Sequence, residues 1–418
     1  MAQLRGSLRV PGDKSTSHRA LMLSALAEGT STITGLSPGE DVASTSAILV
    51  QLGATRLDED GVAQVTGPAD GLRVSTAPLD CGNSGTTMRL MCGVVATIPG
   101  THRLIGDESL SKRPMDRVAE PLGRMGALVR GQGETLTAPL SVETTGRLTG
   151  IDFHVPVVSA QVKSAILFAG LAADAPTTVR EDVRTRPTTE VMLRSAGVKM
   201  TSRDAGDGRV VTVTPGRPAR HQWFVPGDPS QAAFFAVLGA IHRDASLEVL
   251  SVEASPERVG FVGVLERMGA AVKLVEHGEF HALESKSSAL SATEIQSYEI
   301  PSVDEVPVLT VAACAASGVT SFRDMGELRL KESDRFAGSL LLAQRLGCRA
   351  WSEGDDFFVE GVGTTEKFLD FTIGTSLDHR MVMASAVAGA AGNGCTIEGA
   401  DTVSSSYPNF FRDLALLG

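Results

Sequence analysis

Cysteine is scarce in this chain and badly spaced for any cross-link or metal clamp. The five cysteines, Cys81, Cys92, Cys314, Cys348 and Cys395, form no C-x-x-C pair. No zinc ligand set can be assembled from them, and idle or buried thiols in a reducing compartment are expected. Long apolar runs are missing as well. VPVLTVAACAASGV and MVMASAVAGAA fall short of the roughly 20 residues of a membrane span, so both read as buried helices. Positive charge is in deficit: 38 Lys and Arg against 49 Asp and Glu leave a net charge of -11. That balance argues against broad binding of nucleic acid or anionic membrane, yet leaves a small anionic substrate open, because local Lys and Arg decide that. The opening MAQLRGSLRVPGDKS is strand-like and shows neither an apolar stretch of signal-peptide length nor a Ser/Arg-rich transit segment, which makes the cytoplasm the expected location.

What the sequence does contain is a repeat. At 418 residues, 42% hydrophobic and 21% charged, the chain is globular and too long for one ordinary core, so two domains are expected. Six stretches rich in small apolar residues each run into a short strand, with the strands opening at Gly29, Gly100, Ala175, Asp244, Gly318 and Gly394. They recur roughly every 70 residues, the mark of a duplicated unit. Most units also hold a helix that ends in Leu-Gly-Ala or a variant of it (ILVQLGATR, LGRMGALVR, LRSAGVKM, LERMGAAVK, LAQRLGCRA), with Gly where a helix C-cap needs a left-handed residue. Alternating strands such as TSTITGL, GRVVTVTPG and DDFFVEG complete an α/β or α+β pattern. Six units in two groups of three give two domains, and the Pro/Gly density of PGRPARHQWFVPGDPSQ puts a crossing near Val225.

Polar clusters sit at the heads of these helices, where free amides and the macrodipole favour anions. In PGDKSTSHR, Lys14, Ser15 and Arg19 stand where a turn feeds a helix. It is not a P-loop, which would need Gly where Asp13 and Leu8 stand; the residues either hold an anion or simply cap the helix. GNSGTTMR turns tightly through Gly82, Asn83 and Gly85 into a helix that carries Arg89. GDESLSKRPM offers Arg113 in a loop, and VSAQVKSA opens a helix with Ser159 and Gln161. In IPSVDEVPVL, Asp304 and Glu305 open an apolar helix whose dipole keeps a carboxylate ionised, as a general base requires. ELRLKESDR brings Lys331, Glu332 and Arg335 within five residues, either as an acid-base group or as a salt-bridged turn. LDHRMVM ends the set with His379 and Arg380. Six cations from separate repeats beside two carboxylates fit two anionic substrates and proton transfer between them.

These segments, in this order and at these distances, resemble the 5-enolpyruvylshikimate-3-phosphate synthase family over essentially the whole chain. The resemblance implies a two-domain inside-out α/β barrel, each domain built of three βαβαββ repeats, with residues 13–225 in one domain and 1–12 plus 226–418 in the other, and an active site in the cleft between them. It implies transfer of the enolpyruvyl group of phosphoenolpyruvate to the 5-hydroxyl of shikimate 3-phosphate through a tetrahedral intermediate, with release of phosphate, in aromatic amino-acid synthesis. Shikimate 3-phosphate would be held by Lys14, Ser15, Arg19, Ser159, Ala160, Gln161, Arg186, Asp304 and Lys331. Phosphoenolpyruvate would be held by Lys14, Asn83, Gly85, Arg113, Gln161, Arg335, His379 and Arg380. Asp304 would take the hydroxyl proton and Glu332 would protonate the methylene carbon, with Lys14 and Lys331 steadying charge.

Neither a metal nor an organic cofactor is implied, nor any partner beyond the two small substrates: no nucleic acid, no membrane, and a monomer. Glyphosate, a longer mimic of phosphoenolpyruvate, would find room at Gly85. The chain departs from the family pattern at Glu327, where many members have Asn, at Ser405, where some have Lys, and at Thr188, which replaces a ring-stacking Tyr. A UDP-N-acetylglucosamine enolpyruvyl transferase would carry a cysteine in the loop from Gly106 to Met115, and there is none. An RNA-terminal-phosphate cyclase would show a nucleotide-linked histidine and a more basic surface. A catalytically dead scaffold is hard to square with the full set of Asp304, Glu332 and arginines.

Overall fold

Helices that are apolar on every side have no face to give to water and must be buried whole. In the computed structural model, which describes residues 3–278, 280–301 and 303–418, the six small-residue stretches are largely buried. They form the helices Lys14–Leu26, Gly85–Val95, Ala160–Gly170, Pro229–Ile241, Val306–Ala315 and His379–Ala391. Every residue of Pro229–Ile241 and of Val306–Ala315 is buried.

The chain divides into two compact units, residues 14–225 and residues 1–13 plus 226–418. Each has its own hydrophobic core. Asp13, expected at the head of the first domain, belongs instead to the second unit, where Arg258 holds its carboxylate at 2.6 Å. Within the second unit the three buried helices pack on one another. Within the first, Gly85–Val95 and Ala160–Gly170 approach so closely that a Cβ on Gly93 would collide with the backbone of Ala165. Small residues permit this approach, which a Leu or Val at position 93 would forbid.

The sheets lie around these helices and repeat one pattern. In the first unit, Leu79–Asp80 runs parallel to Gly100–Ile105, which pairs antiparallel with Thr137–Thr144, which pairs antiparallel with Leu128–Gln132. Two sheets take their parallel edge strand from far along the chain: Gln222–Phe224 joins Gly29–Thr34, and Leu4–Leu8 joins Ala245–Val252 with Leu4 opposite Ala245. Five outer helices occupy the second α position of the repeat and are followed by Gly53, Gly126, Gly197, Gly269 and Gly347, all at positive φ. That is the left-handed exit read from the Leu-Gly-Ala endings.

The mixed α/β class is as expected, but the sixth copy of the repeat is shorter than expected. Among the described residues it holds two strands, Phe371–Gly374 and Cys395–Glu398, on either side of His379–Ala391. The chain then turns through the 3-10 helix Ala400–Ser405 into the short helix Phe410–Ala415. No further Leu-Gly-Ala ending follows Gly394 in the sequence, so the signal for the missing second half was absent from the start.

Candidate active site

The expected site residues fall into two clusters, one in each unit. In the unit of residues 14–225 they gather at the N-terminal ends of its three buried helices. Lys14 is the first residue of its helix, and its ammonium lies 3.0 Å from Asp41 Oδ2. One turn on, Arg19 is buried and donates to the Ser15 carbonyl at 2.8 Å, to Ser164 Oγ at 2.7 Å and to Thr189 Oγ1 at 2.5 Å. These contacts fix the orientation of the guanidinium. Arg186 reaches Ser15 Oγ at 3.4 Å.

A second chain of contacts runs across the other two helices. Ser84 caps Gly85–Val95 by accepting from the Thr87 amide, and Ser159 caps Ala160–Gly170 by accepting from the Val162 amide. Ala160 is thus the first residue of its helix, and its carbonyl accepts from Ser164 Oγ at 2.6 Å. Gln161 accepts from Arg89 at 2.8 Å and donates to Thr86 Oγ1 at 2.9 Å. Arg113 donates to Asn83 Oδ1 at 2.7 Å, and Asn83 in turn donates to Asp107 at 2.6 Å. Gly85 lies under this pair of arginines: a Cβ added there would stand 3.0 Å from Arg89 Nη1 and 3.2 Å from Arg113 Nη1.

The second cluster is built on Arg335, the first residue of the helix Arg335–Arg345, which is 1% exposed. Its guanidinium meets three carboxylates: Asp378 at 2.8 Å through Nε, Asp304 at 2.8 Å through Nη1 and Glu332 at 2.6 Å through Nη2. Asp378 also accepts from Nη2 at 3.2 Å, giving a two-pronged grip, and it caps the sixth buried helix by accepting from the Arg380 amide. Burial by itself would lower the Arg335 pKa, but Asp378, Glu332 and Asp304 outweigh it and raise it further above the usual arginine value. Burial would likewise raise Asp304, yet Arg380, Arg335 and Lys331 outweigh it and hold this carboxyl well below the ordinary range.

Arg380 is 1% exposed, lies 3.9 Å from Asp304 through Nη2, and sits over the ring of Phe234. Its Nε and Nη1 are buried, and no described residue accepts a hydrogen bond from either. Buried donors left this way cost on the order of 1–3 kcal/mol, which an anion placed against them would recover. His379 Nδ1 lies 3.0 Å from Ser405 Oγ, so the residue that departs from the family pattern packs against the histidine. Lys331 Nζ is 3.5 Å from Glu327, the other departure.

Backbone strain brackets this cluster on two sides. Val303, a β-branched residue directly ahead of Asp304, holds φ at 52°, while Ser376 and Leu377, just ahead of Asp378, hold 50° and 57°. Left-handed backbone at such residues costs on the order of 1–3 kcal/mol each, and strain of that kind concentrates where function needs a set geometry. Glu305, paired with Asp304 in the sequence as a helix opener, turns inward and accepts from Ser230 Oγ.

Several residues that shape the site were not singled out in the sequence. Asp41, Asp107, Ser164 and Thr189 hold the cations and the Asn of the first cluster, and Asp378 holds both arginines of the second. A capping signal was available for Asp378, an Asp directly before an apolar helix. For Asp41 and Asp107 there was none. Among the described residues no group of three or more His, Cys, Asp or Glu could hold a metal ion, and no helix is long and apolar enough to cross a membrane.

Comparison with known proteins gives one answer at every level. The family model for EPSP synthase (3-phosphoshikimate 1-carboxyvinyltransferase) matches residues 1–414. The 3-phosphoshikimate 1-carboxyvinyltransferase of Synechococcus sp. (strain WH7803) is 42% identical, covering 99% of this chain and 96% of its own length. That of Gloeobacter violaceus is 44% identical at the same coverage. The solved EPSP synthase of Acinetobacter baumannii superposes with a TM-score of 0.87 at 35% identity, over 100% of this chain and 96% of that one. The enolpyruvyl transferase NikO of Streptomyces tendae, at 18% identity and a TM-score of 0.78 over 100% of this chain and 95% of its own, shares the fold. With the match running from end to end, the chain belongs to the EPSP synthase family.

Proposed function

We propose that the two clusters serve one reaction, with the first holding shikimate 3-phosphate and the second carrying the proton transfers. The chain is a transferase of aromatic amino-acid biosynthesis, which moves the enolpyruvyl group of phosphoenolpyruvate onto the 5-hydroxyl of shikimate 3-phosphate and releases phosphate. Lys14, Ser15, Arg19, Ser159, Ala160, Gln161 and Arg186 bind shikimate 3-phosphate. Arg113, Arg335 and Arg380 bind the carboxylate and phosphate of phosphoenolpyruvate, with Lys14, Asn83, Gly85, Gln161 and His379 beside them. The observation that carries this reading is Arg380, a buried cation with two nitrogens that no described residue satisfies, 3.9 Å from the proposed base Asp304.

The ion pairs around Arg335 suggest how the chemistry is timed. Asp304 is a weak base while Arg335 and Arg380 hold its charge, because a general base works best with a pKa near the operating pH. A phosphoenolpyruvate anion entering between the two arginines competes with Asp304 and Glu332 for their donors, while the buried grip of Asp378 keeps Arg335 in place. Asp304, relieved of its partners, then takes the proton from the 5-hydroxyl as the oxygen attacks C2 of phosphoenolpyruvate. Glu332 delivers a proton to C3, giving the tetrahedral intermediate. Elimination reverses that last transfer: Glu332 takes a proton from the methyl group, the double bond re-forms and phosphate leaves.

The test is phosphate release from purified protein given both substrates. Asp304→Asn and Glu332→Gln should each lower turnover by about 100-fold to 10,000-fold, the usual range for a positioned acid or base, while in Glu332→Gln shikimate 3-phosphate binding, read by calorimetry, survives. Near-normal turnover in Glu332→Gln would return the Glu332–Arg335 contact to a plain structural ion pair.

A further inference from the structure

Outside both clusters, the second unit buries a charge network that none of the assigned roles uses. Arg258 lies in the turn ahead of the helix Gly260–Arg267, with its side chain 5% exposed. It contacts Asp13 at 2.6 Å, Asp228 at 2.9 Å and Ser230 Oγ at 3.3 Å. Ser230 Oγ also donates to Glu305. All four partners are buried.

Their places in the chain give the network its meaning. Asp13 directly precedes Lys14, and Glu305 directly follows Asp304. Asp13 and Asp228 sit on the two segments by which the chain passes between units. Those segments are laced together by backbone bonds, from the Asp13 amide to the Pro226 carbonyl at 2.7 Å and from the Asp228 amide to the Pro11 carbonyl at 2.9 Å. The Gly227 amide bonds Ser251 O at 2.7 Å and the Glu253 amide bonds Gly227 O at 3.0 Å, which seats the pair on the strand Ala245–Val252. Burial by itself would lower the Arg258 pKa, but Asp13, Asp228, Glu253 and Glu305 outweigh it and raise it, so the guanidinium stays charged.

We propose that Arg258 is a positioning residue: its fork, anchored on Asp13 and Asp228, reaches Glu305 through Ser230 and so sets where the peptide leaving Asp304 holds that carboxylate on the substrate. The proposal rests on the role given above to Asp304. A planar fork with partners on two separate segments, one of them relaying to Glu305 through Ser230, cannot be matched by the single point charge of a lysine. Arg258→Lys therefore keeps the buried charge and loses the alignment.

Misplacement of catalytic groups by about 1 Å can cost on the order of 100-fold. In the phosphate-release assay, run well below the melting temperature of every variant, Arg258→Lys should lower kcat by roughly 10-fold to 100-fold with little change in shikimate 3-phosphate affinity. In an Asp304→Asn background the same substitution should cost much less, because the group it aligns is already disabled. A kcat equal to wild type, or a loss equally large in the Asp304→Asn background, overturns the proposal. Asp13→Asn, which removes one arm at constant shape, carries the same expectations if Arg258→Lys fails to fold. Lys14→Met and Asp304→Asn alone separate the layers: if either keeps wild-type turnover, the site assignment fails; if both are inactive while Arg258→Lys is not, only the positioning role fails.

Discussion

Asp304 shows how far one side chain's neighbours can carry it from ordinary behaviour. Burial pushes its carboxyl up and Arg380, Arg335 and Lys331 push it down, with the cations winning. A folded-state pKa below the unfolded value, about 3.9 for Asp, means that the stabilisation is complete above that value and is lost as pH falls through it toward the folded one. Wild type should therefore lose stability more steeply than Asp304→Asn as pH drops from about 5 to 3; urea midpoints across that range decide it, and parallel curves would remove these ion pairs from acid stability. Gly85 is a second single-residue lever. A methyl there stands 3.0 Å from Arg89 and 3.2 Å from Arg113, so it presses on the cations as well as on any ligand above them. Overpacking of about 1–3 kcal/mol should raise the glyphosate inhibition constant of Gly85→Ala by roughly 10-fold to 100-fold, and the KM for phosphoenolpyruvate by less. Equal losses for the two would show that the arginines, and not the inhibitor's length, limit this contact. Most of the cations were legible in the sequence because they sit at or near a helix start; their pairings with acids were not, since Lys14–Asp41 and Arg335–Asp378 bring together residues that no local pattern connects.

Elements were read more fully than side chains, and for a physical reason. A stretch of Ala, Gly and Val without a polar face has one destination, and a Gly after Leu marks a helix exit, so both helices of most repeats could be placed from sequence. The inward turn of Glu305 could not, because it depends on where Ser230 lies in three dimensions, while the shortened sixth repeat showed only as the want of a further Leu-Gly-Ala ending. Two glycines make the packing measurable. Gly93 faces the backbone of Ala165, which cannot rotate away, whereas Gly123, inside the helix Asp116–Met125, has nothing within 4 Å of an added Cβ. Gly93→Ala should cost about 1–3 kcal/mol, a fall of roughly 2–12 °C in the melting temperature of a unit this size. Gly123→Ala should raise it by about 1–4 °C through the unfolded chain's lost freedom. Calorimetry on both variants checks this, and a destabilised Gly123→Ala would mean that the open space there is closed by something else.

At the scale of the whole molecule the two units differ in how they are strung. Residues 14–225 are one continuous stretch that owns all its strands and its core, so this fragment, expressed alone, should melt cooperatively. Residues 226–418 alone lack Leu4–Leu8, the edge strand of their first sheet, and should gain stability when a peptide of residues 1–13 is added. Thermal melts followed by circular dichroism test both statements, and a 226–418 fragment indifferent to the peptide would show that this strand is dispensable. The parallel pairing of Leu4 with Ala245 also has a consequence in time. The strand Leu4–Leu8 leaves the ribosome well ahead of its partner Ala245–Val252, and at about 5–20 residues per second it waits roughly 10–50 s for that neighbour to be made. Its pattern suits the delay: Leu4 is buried in the finished sheet, but Arg5, Gly6 and Ser7 remain exposed there, so the waiting segment offers chaperones and stray sheet edges little apolar surface to seize.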